Sequence, residues 1–350
     1  MNLIDLLKTT IEKNASDLHL IAEYEAYIRI DGQLEPLTKI LSSDELVEMC
    51  MSILTPEQKE RFFESKDLDF AYSLESGDRF RINYFYSKNT LSAAFRHLPN
   101  TIKSLDELML PPIFKEITKV QQGFVLLVGP TGSGKSTTLA AMIQEINTRD
   151  KRNIITLEDP IEYIYPKVTS IVRQRELYQD TYDWDMAMRA MLREDPNVVL
   201  IGEMRDASTI KSALKIAETG HLTFSTLHTN SASETVQRIV NTFPATEQGE
   251  IRAMLAQTIT AVISQRLVPV FGGGRRAVIE LMIQTPAIAS LIREGKEFQI
   301  DNTIRTSGDF GMITIEKSLV ELIRAGQISV EDGQKYARDP GEIIRLMKTI

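Results

Sequence analysis

The spacing of apolar positions changes along the chain, and each change marks an element. In residues 2–13, Leu3, Leu6, Leu7 and Ile11 recur at helical spacing and predict an amphipathic helix. The pattern then shortens to alternation. Asp17-Leu18-His19-Leu20 and Tyr27-Ile28-Arg29-Ile30 predict short strands, with a turn at Asp31-Gly32. Ser43 is expected to cap a helix running to about Leu54, and Thr55-Pro56-Glu57 to start another with proline in its first turn. Alternation returns at Phe80-Arg81-Ile82-Asn83-Tyr84-Phe85 and Leu91-Ser92-Ala93-Ala94-Phe95-Arg96, as in paired strands. These elements predict a small α+β domain over residues 1–99. A linker is expected over 100–112, where Pro99, Pro111 and Pro112 bracket a short helix.

From Phe114 onward apolar strands alternate with helices. Residues 124–128, 154–157, 198–201, 222–227 and 278–282 read as strands, each lying between helical patterns. That predicts a largely parallel sheet covered on both faces, so residues 113–350 read as an α/β domain with a helical C-terminal part. Turns are expected at Gly295, Gly308, Gly311 and Gly326.

One segment joins this pattern to chemistry. Residues 129–136 read GPTGSGKS, a G-x-x-x-x-G-K-S phosphate-binding loop, directly after an apolar run and before Leu139, Met142, Ile143 and Ile146 at helical spacing. Glycines let successive backbone N–H groups face phosphate oxygens, and the helix N-terminus adds positive partial charge. Gly129, Pro130, Thr131, Gly132, Ser133, Gly134, Lys135, Ser136 and Thr137 are the expected nucleotide-binding residues. Lys135 would reach the β- and γ-phosphates, and the Ser136 hydroxyl would ligate Mg²⁺, so ATP and Mg²⁺ are the expected cofactors.

Composition narrows the choices. With 350 residues, two domains are the natural expectation. A net charge of −8 supplies no basic field, which disfavours a nucleic-acid partner. Cys50 is the only cysteine, and its place among Leu46, Ile53 and Leu54 at helical spacing predicts a buried structural thiol. No apolar run approaches a membrane span and no signal-peptide pattern opens the chain, so a cytoplasmic protein is expected.

Hydrolysis needs carboxylates at the strand C-termini that surround a phosphate loop. Two sets qualify: Glu158, Asp159 and Glu162 after residues 154–157, and Glu203 after residues 198–201. Glu158, Asp159, Glu203 and Ser136 are the candidate metal ligands, and Glu162 and Glu203 the candidates to position water, without a firm division between the two. His228 ends the strand over 222–227, and His221 opens it. Seven residues apart with no third ligand, they do not read as a metal pair; a lone histidine is more often a packing residue, yet His228 at the strand end is placed to sense a γ-phosphate. Arg81 and Arg96 lie on predicted strands of the first domain, where a solvated edge residue is the ordinary reading.

The sequence resembles the secretion ATPase superfamily (GspE-like), and within it the type IV pilus retraction ATPases (PilT-like), over nearly its whole length. Residues 15–20 (ASDLHL) and 29–32 (RIDG) resemble the family's PAS-like domain, and GPTGSGKST its phosphate loop. ITLEDPIEY at 155–163 resembles its acidic box, LIGEMRD at 200–206 its second acidic motif with Gly202 where other ATPases carry Asp, and GHLTFSTLHTNSA at 220–232 its histidine box. The resemblance implies a RecA-like ATPase domain behind a PAS-like domain, a homohexamer with nucleotide between protomers, and coupling of hydrolysis to movement at His221 and His228. It also implies that Arg81 and Arg96 contact the nucleotide from the N-terminal domain. An inner-membrane platform protein (PilC-like) and a paralogous retraction ATPase are the implied partners, with the chain peripheral at the cytoplasmic face of the inner membrane.

Extension and type II secretion ATPases usually carry a longer N-terminal region and a four-cysteine zinc motif, whereas this sequence begins at the PAS-like domain and has one cysteine. Residues 287–294 (AIASLIRE) resemble the retraction-specific AIRNLIRE motif, with Ala289 and Ser290 in place of Arg-Asn, and Asn197 replaces an Asp common after the Asp-Pro pair. A principal retraction motor, an accessory one (PilU-like) and an extension or secretion ATPase therefore stand as alternatives.

Overall fold

The computed structural model describes residues 2–30, 32–98 and 101–348. Asp31 of the expected turn, and Pro99 and Asn100 at the expected boundary, lie outside the described residues. Contacts divide the chain into two compact units: Met1–Thr101 with Pro160–Ile164, and Ile102–Asp159 with Tyr165–Ile350.

In the first unit the elements are α1 (Leu3–Glu12), β1 (Asp17–Ile21), β2 (Glu25–Ile30), β3 (Gln33–Ile40), α2 (Ser43–Met51), α3 (Pro56–Ser65), β4 (Asp67–Ser73), β5 (Arg79–Ser87) and β6 (Thr90–Leu98). Asn2 caps α1 with Asp5 reciprocating, and Thr55 caps α3 with Gln58 while Pro56 takes the first turn. The expected cap at Ser43 is displaced by one residue. Ser42 accepts from the Glu45 amide at 3.3 Å while its own amide donates to the Glu45 carboxylate at 3.0 Å, and α2 ends at Met51. The strands form an antiparallel sheet in the order β3-β2-β1-β6-β5-β4. Its core is apolar and aromatic: Leu6, Leu7, Leu18, Phe62, Phe80, Ile82, Tyr84 and Phe95 are fully buried. Cys50 lies in that core as expected, and burial pushes its thiol up to about 12. The Tyr84 hydroxyl donates to the Cys50 carbonyl at 3.2 Å.

The second unit runs α4 (Ile113–Ile117), β7 (Gly123–Val128), α5 (Lys135–Arg149), β8 (Asn153–Glu158), β9 (Ile171–Glu176), α6 (Trp184–Met191), β10 (Val198–Ile201), α7 (Ala207–Glu218), β11 (Leu222–Leu227), α8 (Ala232–Asn241), α9 (Gln248–Thr258), β12 (Ile259–Pro269) and β13 (Arg275–Ile283). A helical part follows, with α10 (Pro286–Arg293), α11 (Ile300–Thr306), α12 (Ile315–Arg324), α13 (Val330–Tyr336) and α14 (Pro340–Lys348). The helix expected within 100–112 is only a turn. Leu108 N–H donates to the Ser104 carbonyl at 3.0 Å, and Met109 at φ 53° stops further winding.

The strands of this unit lie in the order β13-β12-β7-β11-β10-β8-β9, parallel from β12 to β9, with β13 antiparallel at one edge. Every residue of β7, β10 and β11 is buried, Thr223, Ser225 and Thr226 of β11 included, as expected of strands covered on both faces. Each large apolar side chain removed from water there contributes roughly 1.5–3 kcal/mol. This rigid layer brings the C-terminal ends of β7, β11 and β10 to one edge of the sheet, where α/β proteins bind ligands. No helix among the described residues is long and apolar enough to cross a membrane.

Candidate nucleotide site

β7 runs straight into residues 129–134, and α5 begins at Lys135, so the strand–loop–helix expected of the motif is formed. Gly129, Gly132 and Gly134 all have positive φ, 145°, 77° and 85°. At Gly129 a side chain is excluded twice, because a Cβ would overlap the Gln265 carbonyl oxygen and stand 2.8 Å from the Ser133 hydroxyl. No side chain caps α5, which leaves its first-turn amides to the loop. Lys135, nearly buried, donates to the carbonyls of Gly129 at 2.7 Å and Pro130 at 3.0 Å. The Ser133 hydroxyl is buried inside the loop with no protein partner, a donor suited to a phosphate oxygen.

The acids gather on the neighbouring strand ends. β10 closes against β8 at Gly202, where a Cβ would stand 3.3 Å from the Leu157 carbonyl and 3.4 Å from the Glu158 Cα. A side chain there would be tightly packed, and the carboxylate of this strand end is that of the next residue, Glu203. Glu203 is held by the Arg205 Nε at 3.0 Å and the His228 Nε2 at 3.2 Å. Arg205 also reaches Asp159 at 3.5 Å. β11 therefore brings His228 to the Glu203 carboxylate, an acid–histidine pair next to the strand that carries the phosphate loop. Glu158 turns instead to Thr156 Oγ1 at 2.6 Å and Gln174 Nε2 at 3.3 Å, within the sheet.

No group of three His, Cys, Asp or Glu side chains that could hold a metal occurs among the described residues. Mg²⁺ takes few protein ligands and completes its shell with phosphates and water, so one hydroxyl (Ser136) and one carboxylate (Glu203) fit it.

One sequence candidate lies elsewhere in this unit. His221 stands at the opposite end of β11 from His228, about 20 Å away along a six-residue strand. Its Nδ1 meets the Ile216 carbonyl at 2.9 Å and Thr219 Oγ1 at 3.0 Å at the end of α7. Glu162 lies in the segment that groups with the first unit.

In that unit, register places Arg29, Asp17, Arg96 and Arg81 directly opposite one another on β2, β1, β6 and β5, hence on one face. Asp17 binds Arg96 at 2.9 Å and Arg29 at 3.7 Å. Burial works to raise the Asp17 pKa, but hydrogen bonds from Ser16 and Arg96 outweigh it, and the carboxyl ends below its usual range. One nearly buried carboxylate thus anchors a row of three arginines by gripping two of them, and the row includes both sequence candidates.

Asn197, where an Asp is common, keeps the acceptor: its Oδ1 takes the Asn153 amide at 2.8 Å. Residues missed from sequence include Arg205, two that brace the loop from β12 and α5, and Ser264. The Gln265 Nε2 donates to the Ser133 carbonyl at 2.7 Å, and Thr138 Oγ1 to the Gln265 Oε1 at 2.9 Å. Ser264 Oγ donates to the Asn230 carbonyl at 2.9 Å, just beyond His228. A Ser-Gln pair inside the apolar run 259–268 was the available signal.

A parallel sheet with a glycine-rich phosphate loop after an inner strand, and an acid–histidine pair at the adjoining strand ends, defines an ATP-hydrolysing enzyme of the secretion ATPase class. The family model described as "Type II/IV secretion system protein" matches residues 2–273. The type IV pilus retraction ATPase PilT of Pseudomonas aeruginosa is 42% identical over 341 residues, 97% of this chain and 99% of that protein. The type IV pilus ATPase PilU of the same organism is 38% identical over 344 residues, covering 98% and 90%. A crystal structure of the pilus retraction motor PilT with bound ADP superposes with a TM-score of 0.92 at 40% identity, over 99% of both chains. The chain belongs to the Type II/IV secretion system protein family.

Proposed function

We propose that this protein is a cytoplasmic, homohexameric motor that converts ATP hydrolysis into type IV pilus retraction, and so drives twitching motility. The observation that carries this reading is the end-to-end likeness to a pilus retraction motor, phosphate loop included. The working division is residues 1–99 as the PAS-like domain, 100–112 as linker and 113–350 as the ATPase domain. ATP binds at Gly129, Pro130, Thr131, Gly132, Ser133, Gly134, Lys135, Ser136 and Thr137, and Mg²⁺, when bound, neutralises phosphate charge beside Ser136 and Glu203. Glu203, oriented by Arg205 and His228, aims the attacking water, with Glu162 as the second candidate for that role. Arg81 and Arg96 stabilise phosphate charge, supported by the row that Asp17 anchors. Loss of the γ-phosphate releases those contacts and changes the shape of the ring. The ring acts on an inner-membrane platform protein (PilC-like) at its cytoplasmic face.

Deletion of the gene tests the direction of work. Excess, immobile pili are expected; a strain without pili would assign the protein to extension instead. A second reading is favoured by one observation: α10 carries Ala289 and Ser290 at positions typical of Arg-Asn in retraction motors, and Ala289 is packed in the core. It makes the protein an accessory, PilU-like motor working with a paralogous retraction ATPase. Retention of twitching in the deletion strain would support that reading.

Arg96→Ala should lower steady-state phosphate release by about 10²-fold, the scale set by loss of one preorganised charge donor. Arg96 is largely exposed, so the first unit should keep its fold. Wild-type turnover in a folded Arg96→Ala protein would remove this arginine from the site.

A further inference from the structure

Phosphate loops work by aiming amides, and an amide is aimed by whatever grips the carbonyl of its own peptide. The peptide unit is planar and trans, so the N–H of one residue points opposite the C=O of the residue before it. In this protein the carbonyl of Ser133 is gripped by a side chain from a distant strand: Gln265 Nε2 donates to it at 2.7 Å. The N–H on the far side of that peptide belongs to Gly134, last residue of the loop and N-cap of α5. The other end of the Gln265 amide accepts from Thr138 Oγ1 at 2.9 Å, in the first turn of α5. Gln265 is 1% exposed, so both bonds are shielded from water and the amide cannot exchange them for solvent. Its own carbonyl lies where a Cβ on Gly129 would fall, and a Cβ on Gly134 would stand 2.9 Å from Nε2. Both ends of the loop and the start of the helix are therefore seated on one residue of β12.

We propose that Gln265 is a positioning residue for nucleotide binding, holding the Ser133–Gly134 peptide so that the Gly134 amide faces the phosphates. This rests on the reading that residues 129–137 bind them. A glutamine is required because one end must donate and the other accept, in fixed directions. Substitutions of similar length separate the donor from the bulk. Gln265→Met keeps volume and loses both bonds. Gln265→Glu keeps the shape but, when ionised, presents an acceptor to the Ser133 carbonyl. Burial raises the pKa of such a carboxyl, and its protonated form regains a donor. Of the ionisable side chains nearby, Lys135 opens α5 and Arg266, next along β12, donates to the Tyr336 carbonyl at 2.7 Å, while the β13 residue paired with Gln265 is the apolar Ile279.

The test is the dissociation constant of mant-ATP with Mg²⁺ for the full chain at pH 6 and pH 8, beside the melting temperature of each nucleotide-free variant. Loss of these two hydrogen bonds predicts about tenfold weaker binding at pH 8 in both variants. The Glu variant should recover toward wild type at pH 6, and the Met variant should not. Wild-type affinity in a folded Met variant overturns the proposal, and so does a Glu variant whose loss is the same at both pH values. If the Gln265→Met protein does not fold, the pH slope of Gln265→Glu decides alone. Lys135→Ala serves as the reference: normal mant-ATP binding there would sink the phosphate-loop reading itself, a result distinct from failure of the Gln265 proposal.

Discussion

Lys135→Ala is expected to abolish ATP turnover while the protein stays folded. The ammonium is nearly buried and held by the carbonyls of Gly129 and Pro130, so it is fixed in the loop before any phosphate arrives. A charge donor preorganised in this way needs no reorganisation during the reaction, and removing one typically costs about 10²–10³-fold in rate. Here the same charge also attracts the triphosphate in the ground state, so binding and turnover should fall together. Steady-state phosphate release, with far-ultraviolet circular dichroism as the check on folding, measures it. Turnover near the wild-type rate would falsify the assignment of the loop as the hydrolytic site.

Arg338→Ala should destabilise the second unit. Glu280 on β13 is 3% exposed, and its carboxylate accepts from Arg338 Nη1 at 2.8 Å and from the Ala232 amide, first residue of α8, at 2.8 Å. Arg338 also binds Asp301 at 2.8 Å, and its backbone amide donates to Glu316 at 2.9 Å. The residue between α13 and α14 thus binds three carboxylates, two through its guanidinium and one through its backbone amide. Glu280 is buried but Arg338 is partly exposed, so solvent screens the pair and leaving the carboxylate without its donor costs about 1–3 kcal/mol. Chemical denaturation should read that loss.

The pH dependence of this loss has a definite sign. Burial already raises the Glu280 pKa above its ordinary 4.5, against the pull of Ala232 and Arg338. A carboxyl with a raised native pKa holds its proton longer in the folded state, so it weakens the fold as pH rises through that range. Without Arg338 the native pKa climbs further, and Asp301 and Glu316 add to the repulsion. The deficit of Arg338→Ala should therefore be larger at pH 7.5 than at pH 5. A deficit that shrinks toward neutrality would show that Arg338 does not carry the charge of Glu280.

Much of the site could be read because its parts are local. The loop, the strand before it and the helix after it lie within one short stretch, and the positive φ of its glycines is a local backbone requirement. Thr55 with Pro56 marked a helix start for the same reason, while at the next cap two adjacent serines left the choice to the Glu45 contact. Strands β3, β4, β9 and β12 were not foreseen. β3 is an exposed edge strand carrying Pro36, and β9 (IVRQRE), at the other sheet's edge, ends in four consecutive polar residues. β12 follows α9 with no intervening turn, so its apolar run merges with that of the helix.

The sequence by itself determined the phosphate loop, the acidic strand ends and the succession of apolar strands and helices around them, because each is set by neighbours within a few residues. Only the tertiary structure decided which distant groups meet. Gln265 reaches Ser133 across 132 residues, Arg338 reaches Glu280 across 58, and strand register lines Arg81 and Arg96 up with Asp17. It also separated the two histidines, sending His228 to Glu203 and His221 to the far end of the strand. Strand order and register are fixed by burying whole faces of a sheet, a collective free energy that no local run of residues encodes.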